Sequence, residues 1–422
     1  MSAIPKILVQ TLQRFQGQQS RVQTLFSVSR KQFYGGDQIS FKFPTSGILD
    51  LSALTAWFQL VVQSTATATT GFTGVLTPEY AASFFSRVEV YCGGTQLGMS
   101  AQQNYADCYY ISRRLCDSTL RKKFLQNFGL ANSLSVNAAS TATFVNIMAD
   151  DWLGLLGGHT LRYLPLDILP SQLEIVITLN PLNRWFDPSS AAQFTNIDQN
   201  NTFLNNFQFM LSIIEFPDNW LSAAWAKRIG SDQGLAFPFE NYALHTGNQF
   251  NGSTSFTFMH ASQSIEQSFV TLRPSDYQSN TADSIVLTSG SPLPTTYNGT
   301  DVSYNMLLQG VPICSLPLNV TQMLWDSVAA QSANSSIDFS PDITLSQYQT
   351  SRFVWLHNFA FGGLDPQEER YISSGLNTMG VNALFEVQVN NANSANTYVP
   401  VCLFRMKSIM SLQAGGILGV IN

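Results

Sequence analysis

The stretch from Leu49 to Leu97 constrains this chain more than any other. Leu49-Asp50-Leu51-Ser52-Ala53-Leu54-Thr55 runs into Trp57-Phe58-Gln59-Leu60-Val61-Val62, an apolar run rich in residues that suit a pleated, half-buried surface. A small-residue loop, 63–74, leads to Thr77-Pro78-Glu79-Tyr80-Ala81-Ala82-Ser83-Phe84-Phe85. There Thr77 precedes a proline at the first position of a helical turn. Residues 86–91 then alternate, with Val88 and Val90 set between Arg87, Glu89 and Tyr91, and Gly93-Gly94 closes the run in a turn. The order is strand, loop, short helical turn, strand, tight turn.

The same period-two writing recurs along the chain. Gln38-Ile39-Ser40-Phe41-Lys42-Phe43-Pro44 reads as a first strand, and Phe144 to Met148 as another. Leu161 to Pro170 leads into Leu173-Glu174-Ile175-Val176-Ile177-Thr178-Leu179-Asn180, near-continuous enough to predict a strand buried on both faces. Residues 183–206 are polar and read as a connection, after which Phe207 to Phe216 restarts the β pattern. Ser255 to His260, Ser268 to Arg273, Arg352 to His357, Ala383 to Val389 and Val399 to Ile409 continue it. Short helices are expected at 5–16, at 104–124 and at 220–228, the last with Asp218 as a cap, and 274–300 is expected to be a long surface loop.

Three segments carry a resemblance. Residues 49–97 hold a "Leu-x-x-Ser/Ala" strand, a Pro-started turn and Phe-Phe-Ser-Arg-Val-Glu-Val-Tyr; residues 143–185 hold Leu-Pro-Leu ahead of Leu-Glu-Ile-Val-Ile-Thr-Leu; residues 373–389 hold Gly-Leu-Asn-Thr-Met-Gly ahead of a strand. In these features the chain resembles the double jelly-roll major capsid proteins of icosahedral viruses, the lineage of polinton, virophage and adenovirus-hexon types. The resemblance implies an all-β fold: two tandem eight-stranded antiparallel jelly-roll barrels with short helical excursions. It divides the chain into an N-terminal basic arm (1–36), a first barrel (37–190), a linker (191–206), a second barrel (207–410) and a C-terminal tail (411–422). It further implies a homotrimer forming pseudo-hexameric capsomers in a virion shell assembled in the host cytoplasm or nucleus. The implied partners are neighbouring capsomers and penton or minor capsid proteins.

Composition points the same way. At 422 residues two domains are the default. Charged residues are only 11%, against roughly 25% in ordinary soluble domains. A subunit flanked by neighbours tolerates that deficit better than a lone one. The net charge of −6 argues against a nucleic-acid binder as a whole, and no apolar run approaches the roughly 18 residues of a membrane span. No signal-peptide pattern opens the chain. Five scattered cysteines (Cys92, Cys108, Cys116, Cys314, Cys402) read as free thiols rather than a disulfide framework.

Two basic groups stand out as candidate contact sites. Lys6, Arg14, Arg21, Arg30 and Lys31 make the arm basic with no acid among them, suited to neighbouring capsomers, an internal membrane or the packaged genome. Arg113, Arg114, Arg121, Lys122 and Lys123 form a second cluster within the 104–124 segment. Catalytic patterns are missing: the four histidines (His159, His245, His260, His357) lie far apart, with no metal-ligand spacing, nucleophile elbow or phosphate loop. Asp150, Asp151 and Asp338 read as turn caps rather than calcium ligands. The expectation is therefore no enzyme, no cofactor, no metal and no small-molecule substrate. The alternatives are a jelly-roll glycan-active enzyme, or a receptor- or glycan-binding module.

Overall fold

The computed structural model describes residues 19–27, 31–65, 72–76, 81–98, 104–113, 115, 134–157, 161–188, 196–215, 227, 235–274, 296–297, 300–333, 344–345, 348, 353–360, 375–380, 383–390, 397–413 and 417–421. In the first half the elements are β1 (Gln19–Phe26), β2 (Gln32–Phe33), β3 (Gln38–Lys42), β4 (Ile48–Gln63) and β5 (Phe72–Leu76). They continue with β6 (Phe85–Cys92), β7 (Thr95–Leu97), helix α1 (Tyr105–Arg113), β8 (Leu134–Val136) and β9 (Thr141–Ala149). β10 (Tyr163–Pro165), β11 (Leu173–Leu179), β12 (Phe186–Pro188) and β13 (Phe203–Glu215) complete this half. The second half holds β14 (Leu235–Thr246), β15 (Thr254–Met259), β16 (Ile265–Pro274), β17 (Thr296–Tyr297), β18 (Thr300–Asp301) and β19 (Ser303–Leu308). It ends with β20 (Val311–Pro312), β21 (Leu318–Asn319), helix α2 (Val320–Ala333), β22 (Trp355–Asn358), β23 (Leu384–Asn390), β24 (Tyr398–Gln413) and β25 (Ile417–Ile421).

Each half is built on a pair of facing antiparallel sheets, with a small sheet beside them: β12-β5-β8 in the first and β17-β18 in the second. In the first, the order β1-β13-β4-β10, with β2 on β13 and β9 on β4, faces β3-β11-β6-β7. In the second, β14-β24-β16-β22, with β25 on β24, faces β15-β23-β19-β20, with β21 on β19. Among the described residues no strand pairing joins an element before residue 216 to one after 234. The backbone of the first half is β4, one 16-residue strand of about 50 Å at the usual rise. Its Leu54, Ala56, Phe58, Leu60 and Val62 are buried, while the residues between them are only half-buried, so the alternation written in the sequence is the alternation of its two faces.

Aromatic rings fill the space between the sheets. Phe58 of β4 stacks on Phe207 of β13 at 4.9 Å and 6°, and Phe41 of β3 meets Phe209 edge-on at 4.7 Å. Two buried indoles satisfy their N–H groups on backbone: Trp152 donates to the Leu54 carbonyl (3.1 Å) and Trp185 to the Asn180 carbonyl (2.8 Å). In the second half Phe385 of β23 and Phe404 of β24 bridge the sheets at 4.8 Å. The halves also touch each other: the 3₁₀ turn Gly154–Gly157, which buries Leu155 and Leu156, packs between β4 and β14, and α1 packs on β16 and β24.

The turns obey simple backbone chemistry. Gly93 and Gly94 sit at φ 59° and 84° and join β6 to β7 in a two-residue hairpin, with Cys92 opposite Thr95. Positive φ at both central residues is what a strand-matching two-residue turn demands, and glycine supplies it without strain.

Several sequence expectations change. The segment from Phe207 does not begin the second barrel. β13, which contains it, pairs with β1 and β4 and adds Phe207, Phe209, Leu211 and Ile213 to the first core. The first sheet system thus runs to Glu215, and 196–206 leads into its last strand instead of linking barrels. The 1–36 arm is shorter than expected, because β1 and β2 are already part of that sheet. The 411–422 tail is structural as well: β24 extends to Gln413, and β25 folds back on it in register from Ile409↔Ile421 to Gln413↔Ile417. β11 buries one face, not two, with Leu173, Ile175, Ile177 and Leu179 inward and Glu174, Val176 and Thr178 half-buried. The 63–74 loop ends early, since β5 starts at Phe72. The 5–16 helix lies outside the described residues, as do all of 220–228 except Lys227 and all of 274–300 except its two ends and β17.

Candidate functional site: charged, histidine and exposed apolar clusters

Of the arm's basic residues, Arg21 and Lys31 fall within the described residues and Lys6, Arg14 and Arg30 outside them. Arg21 on β1 pairs with Glu215 of β13 at 3.1 Å and donates to Gln23 Oε1 at 3.3 Å, so its charge is answered within the sheet. Lys31 is exposed at the rim of a shallow cavity with Gln32, Tyr34, Asn205 and Asn206. In the second cluster Arg113 is the last residue of α1, while Arg114, Arg121, Lys122 and Lys123 lie outside the described residues. The structure therefore does not bring either basic group together among the residues it describes.

A buried ionic group lies elsewhere. At a bulge between Ile265 and Gln267, Glu266 of β16 faces Arg405 and Lys407 of β24, each at 3.6 Å, with its own side chain 9% exposed. One carboxylate between two cations ties neighbouring strands where the ladder is interrupted.

Two histidines fifteen positions apart in the chain meet in space. His245 Nε2 lies 3.3 Å from His260 Nδ1, and His260 Nε2 lies 2.8 Å from Met406 Sδ. A thioether only accepts, so His260 donates through Nε2, its Nδ1 accepts, and His245 donates through Nε2. Every contact in this chain is made by neutral rings. Phe258 stacks on His245 at 4.4 Å, and Phe404 closes edge-on at 5.9 Å. Burial in this apolar pocket, and secondarily the facing His260, depress the His245 pKa to about 4; burial lowers that of His260 too.

The arrangement nearest to a catalytic constellation is Asp326, His357 and Cys314. Asp326 of α2 accepts from Trp355 Nε1 (2.8 Å) and from His357 Nδ1 (2.9 Å). Burial, reinforced by the Asp326 charge, pushes the Cys314 thiol up. A thiol held protonated is a poor nucleophile, so this group works as a clamp between α2 and β22. Cys92, Cys108, Cys314 and Cys402 are in no disulfide. Asp151 accepts from the Tyr109 hydroxyl at 3.0 Å. Among the described residues no group of three or more His, Cys, Asp or Glu side chains could hold a metal ion.

α2 escaped sequence reasoning, although its start was legible. Asn319 Oδ1 accepts from the Gln322 N–H (2.9 Å) and Gln322 Oε1 accepts from the Asn319 N–H (3.0 Å), a reciprocal cap written as Asn-x-x-Gln. Val320, Met323, Ser327 and Ala330 form its buried stripe, and Trp325 stands 77% exposed on the opposite side. In the first half, Val22 and Phe26 of β1 are also largely exposed.

No family model matches this chain, and no curated protein sequence does. Solved structures do. The chain is similar to the PBCV-1 virus capsid protein at 12% identity and TM-score 0.63, over 97% of this chain and 98% of that one. It is similar to the Faustovirus major capsid protein at 9% identity and TM-score 0.59, over 94% and 90%. The major capsid protein of Sulfolobus turreted icosahedral virus follows at 11% identity and TM-score 0.50, over 92% and 97%. By its fold, then, this chain is a double jelly roll of the kind found in these viral capsid proteins.

Proposed function

We propose that this chain is a viral major capsid protein that trimerises into pseudo-hexameric capsomers and tiles an icosahedral shell. The observation that carries the reading is end-to-end correspondence: the alignment with the PBCV-1 capsid protein covers 97% of this chain, both halves included, and 98% of that one. Closed barrels suit the task physically, because they leave few strand edges to pair wrongly at the concentrations of assembly. Three copies, each contributing two barrels, give six lobes around one axis, and head-to-tail contacts of a single chain close such a ring. The 11% charged content fits flanks covered by sister copies. Residues 1–18, with Lys6 and Arg14, serve in this reading as an arm toward neighbouring capsomers, an internal membrane or the genome.

Size-exclusion chromatography with light scattering tests it. A trimer of 46.6 kDa chains elutes at about 140 kDa and shows six-lobed particles by electron microscopy. A stable monomer at high concentration overturns the reading. Deleting residues 1–18 leaves trimers intact and impairs shell closure; loss of trimers would place that segment in the capsomer itself.

A further inference from the structure

Two charge-poor, exposed apolar surfaces lie one on each half of this molecule. The first is the outward face of the β1-β13-β4 sheet. Cross-strand partners share a face, so Phe26 lines up with Gln208 and Trp57, Thr24 with Met210 and Thr55, and Val22 with Ser212 and Asp50. Phe26 is 70% exposed and Val22 65%. The charge in these rows, Asp50, is engaged by Ser52 and by Arg162 at 3.5 Å. The second surface is the outer side of α2, where Thr321, Gln322 and Ala329 surround the exposed Trp325. The helix's one charged residue, Asp326, is held by Trp355 and His357, and Leu316 in the preceding loop adds a 73% exposed apolar side chain.

Strand order places these surfaces on different sheet systems. Among the described residues β1 is an edge strand of its sheet, and from it the order runs β13, β4, then the 154–157 turn that packs on β14. From β14 it runs through β24 and β16 to β22, the last strand, on which α2 packs. One apolar surface therefore ends the first sheet system and the other ends the second. Charge depletion around an exposed tryptophan is the composition of an interface core, not of a solvated flank. Two different patches on one chain are also what a head-to-tail ring requires, whereas a two-fold contact would need one patch facing itself.

We propose that the Phe26 surface of one chain docks on the Trp325 surface of a second copy, and that this heterologous contact, repeated, closes the capsomer. The inference rests on the capsomer reading above and gives it its contact residues. The occupant of each surface is the other surface of a sister chain.

The test uses the full-length chain carrying Phe26→Cys and Trp325→Cys together, oxidised and run on a non-reducing gel. The contact gives covalent species of two and three copies, ending at three, while either single substitution adds nothing to the wild-type background. In parallel, Phe26→Ser and Trp325→Ser each lower the trimer fraction at least tenfold in light scattering with an unchanged circular dichroism spectrum. A wild-type trimer that yields no cross-link and survives both serine substitutions overturns this contact while leaving the capsid reading standing. Cross-linking by a single substitution means a two-fold contact and also overturns it. A monomeric wild type overturns both.

Discussion

Acidification should strike the second barrel at one identifiable place. His245 and His260 are neutral rings joined at 3.3 Å between Phe258 and Phe404, and the nearby cations Arg405 and Lys407 sit on alternate positions of β24 from Phe404 and Met406. The His245 pKa falls from 6.5 to about 4, a depression of about 2.5 units. At about 1.36 kcal/mol per unit this is roughly 3.4 kcal/mol, reduced to about 2–3 because the ring is not wholly out of water. The unfolded chain takes up the proton near pH 6.5 and the folded chain only near 4. The stability held by this group is thus complete above pH 6.5, falls as pH drops through that window and is gone below it. His245→Gln keeps a donor toward His260 Nδ1 and removes the titration. Urea unfolding followed by tryptophan fluorescence at about pH 7.5 and about pH 4 compares the two proteins, and carboxylate effects common to both cancel. Wild type should lose about 2–3 kcal/mol more than the variant on acidification, roughly a 1 M difference in midpoint shift for a unit of this size. Equal losses in the two proteins would refute the reasoning.

Further perturbations probe the packing. Phe58→Ala removes a ring in contact with Phe84, Phe85 and Phe207 and should cost about 3–5 kcal/mol, read as a lowered thermal midpoint; a change below about 1 kcal/mol would deny Phe58 its central place. Gly375→Ala drives a Cβ against the Ile265 carbonyl oxygen, a backbone atom that cannot swing away, and should cost about 1–3 kcal/mol by the same assay. Asp326→Ala leaves the Trp355 and His357 N–H groups without their acceptor, for a loss of about 2 kcal/mol or more and faster hydrogen exchange in α2. Asn319→Ala removes the cap of the same helix at about 1 kcal/mol, and an unchanged melting curve would contradict the reciprocal cap.

What could be read in the sequence is what depends on neighbours along the chain. Alternation at 54–62 gave a strand with the right face inward, that at 86–91 gave a strand with Val88 and Val90 inward although Glu89 between them is buried too, and Gly93-Gly94 gave a turn at the right place. The cap that starts α2 was equally local, an Asn-x-x-Gln signature that went unused.

Everything that depended on which strand lies beside which needed the tertiary structure. A period of two fixes the face a side chain takes but says nothing of its partner, so β13 read as the opening of a new barrel when it pairs with β4, well over a hundred residues earlier. His245 and His260, each unremarkable in sequence, become a buried neutral pair because β14 and the end of β15 converge on Met406. The apolar surfaces at β1 and α2 are likewise visible only once strand order puts them on the last strands of two different sheets. Local sequence dictates conformation through sterics and periodicity, whereas strand neighbours are chosen by long-range burial, which the folded chain alone resolves.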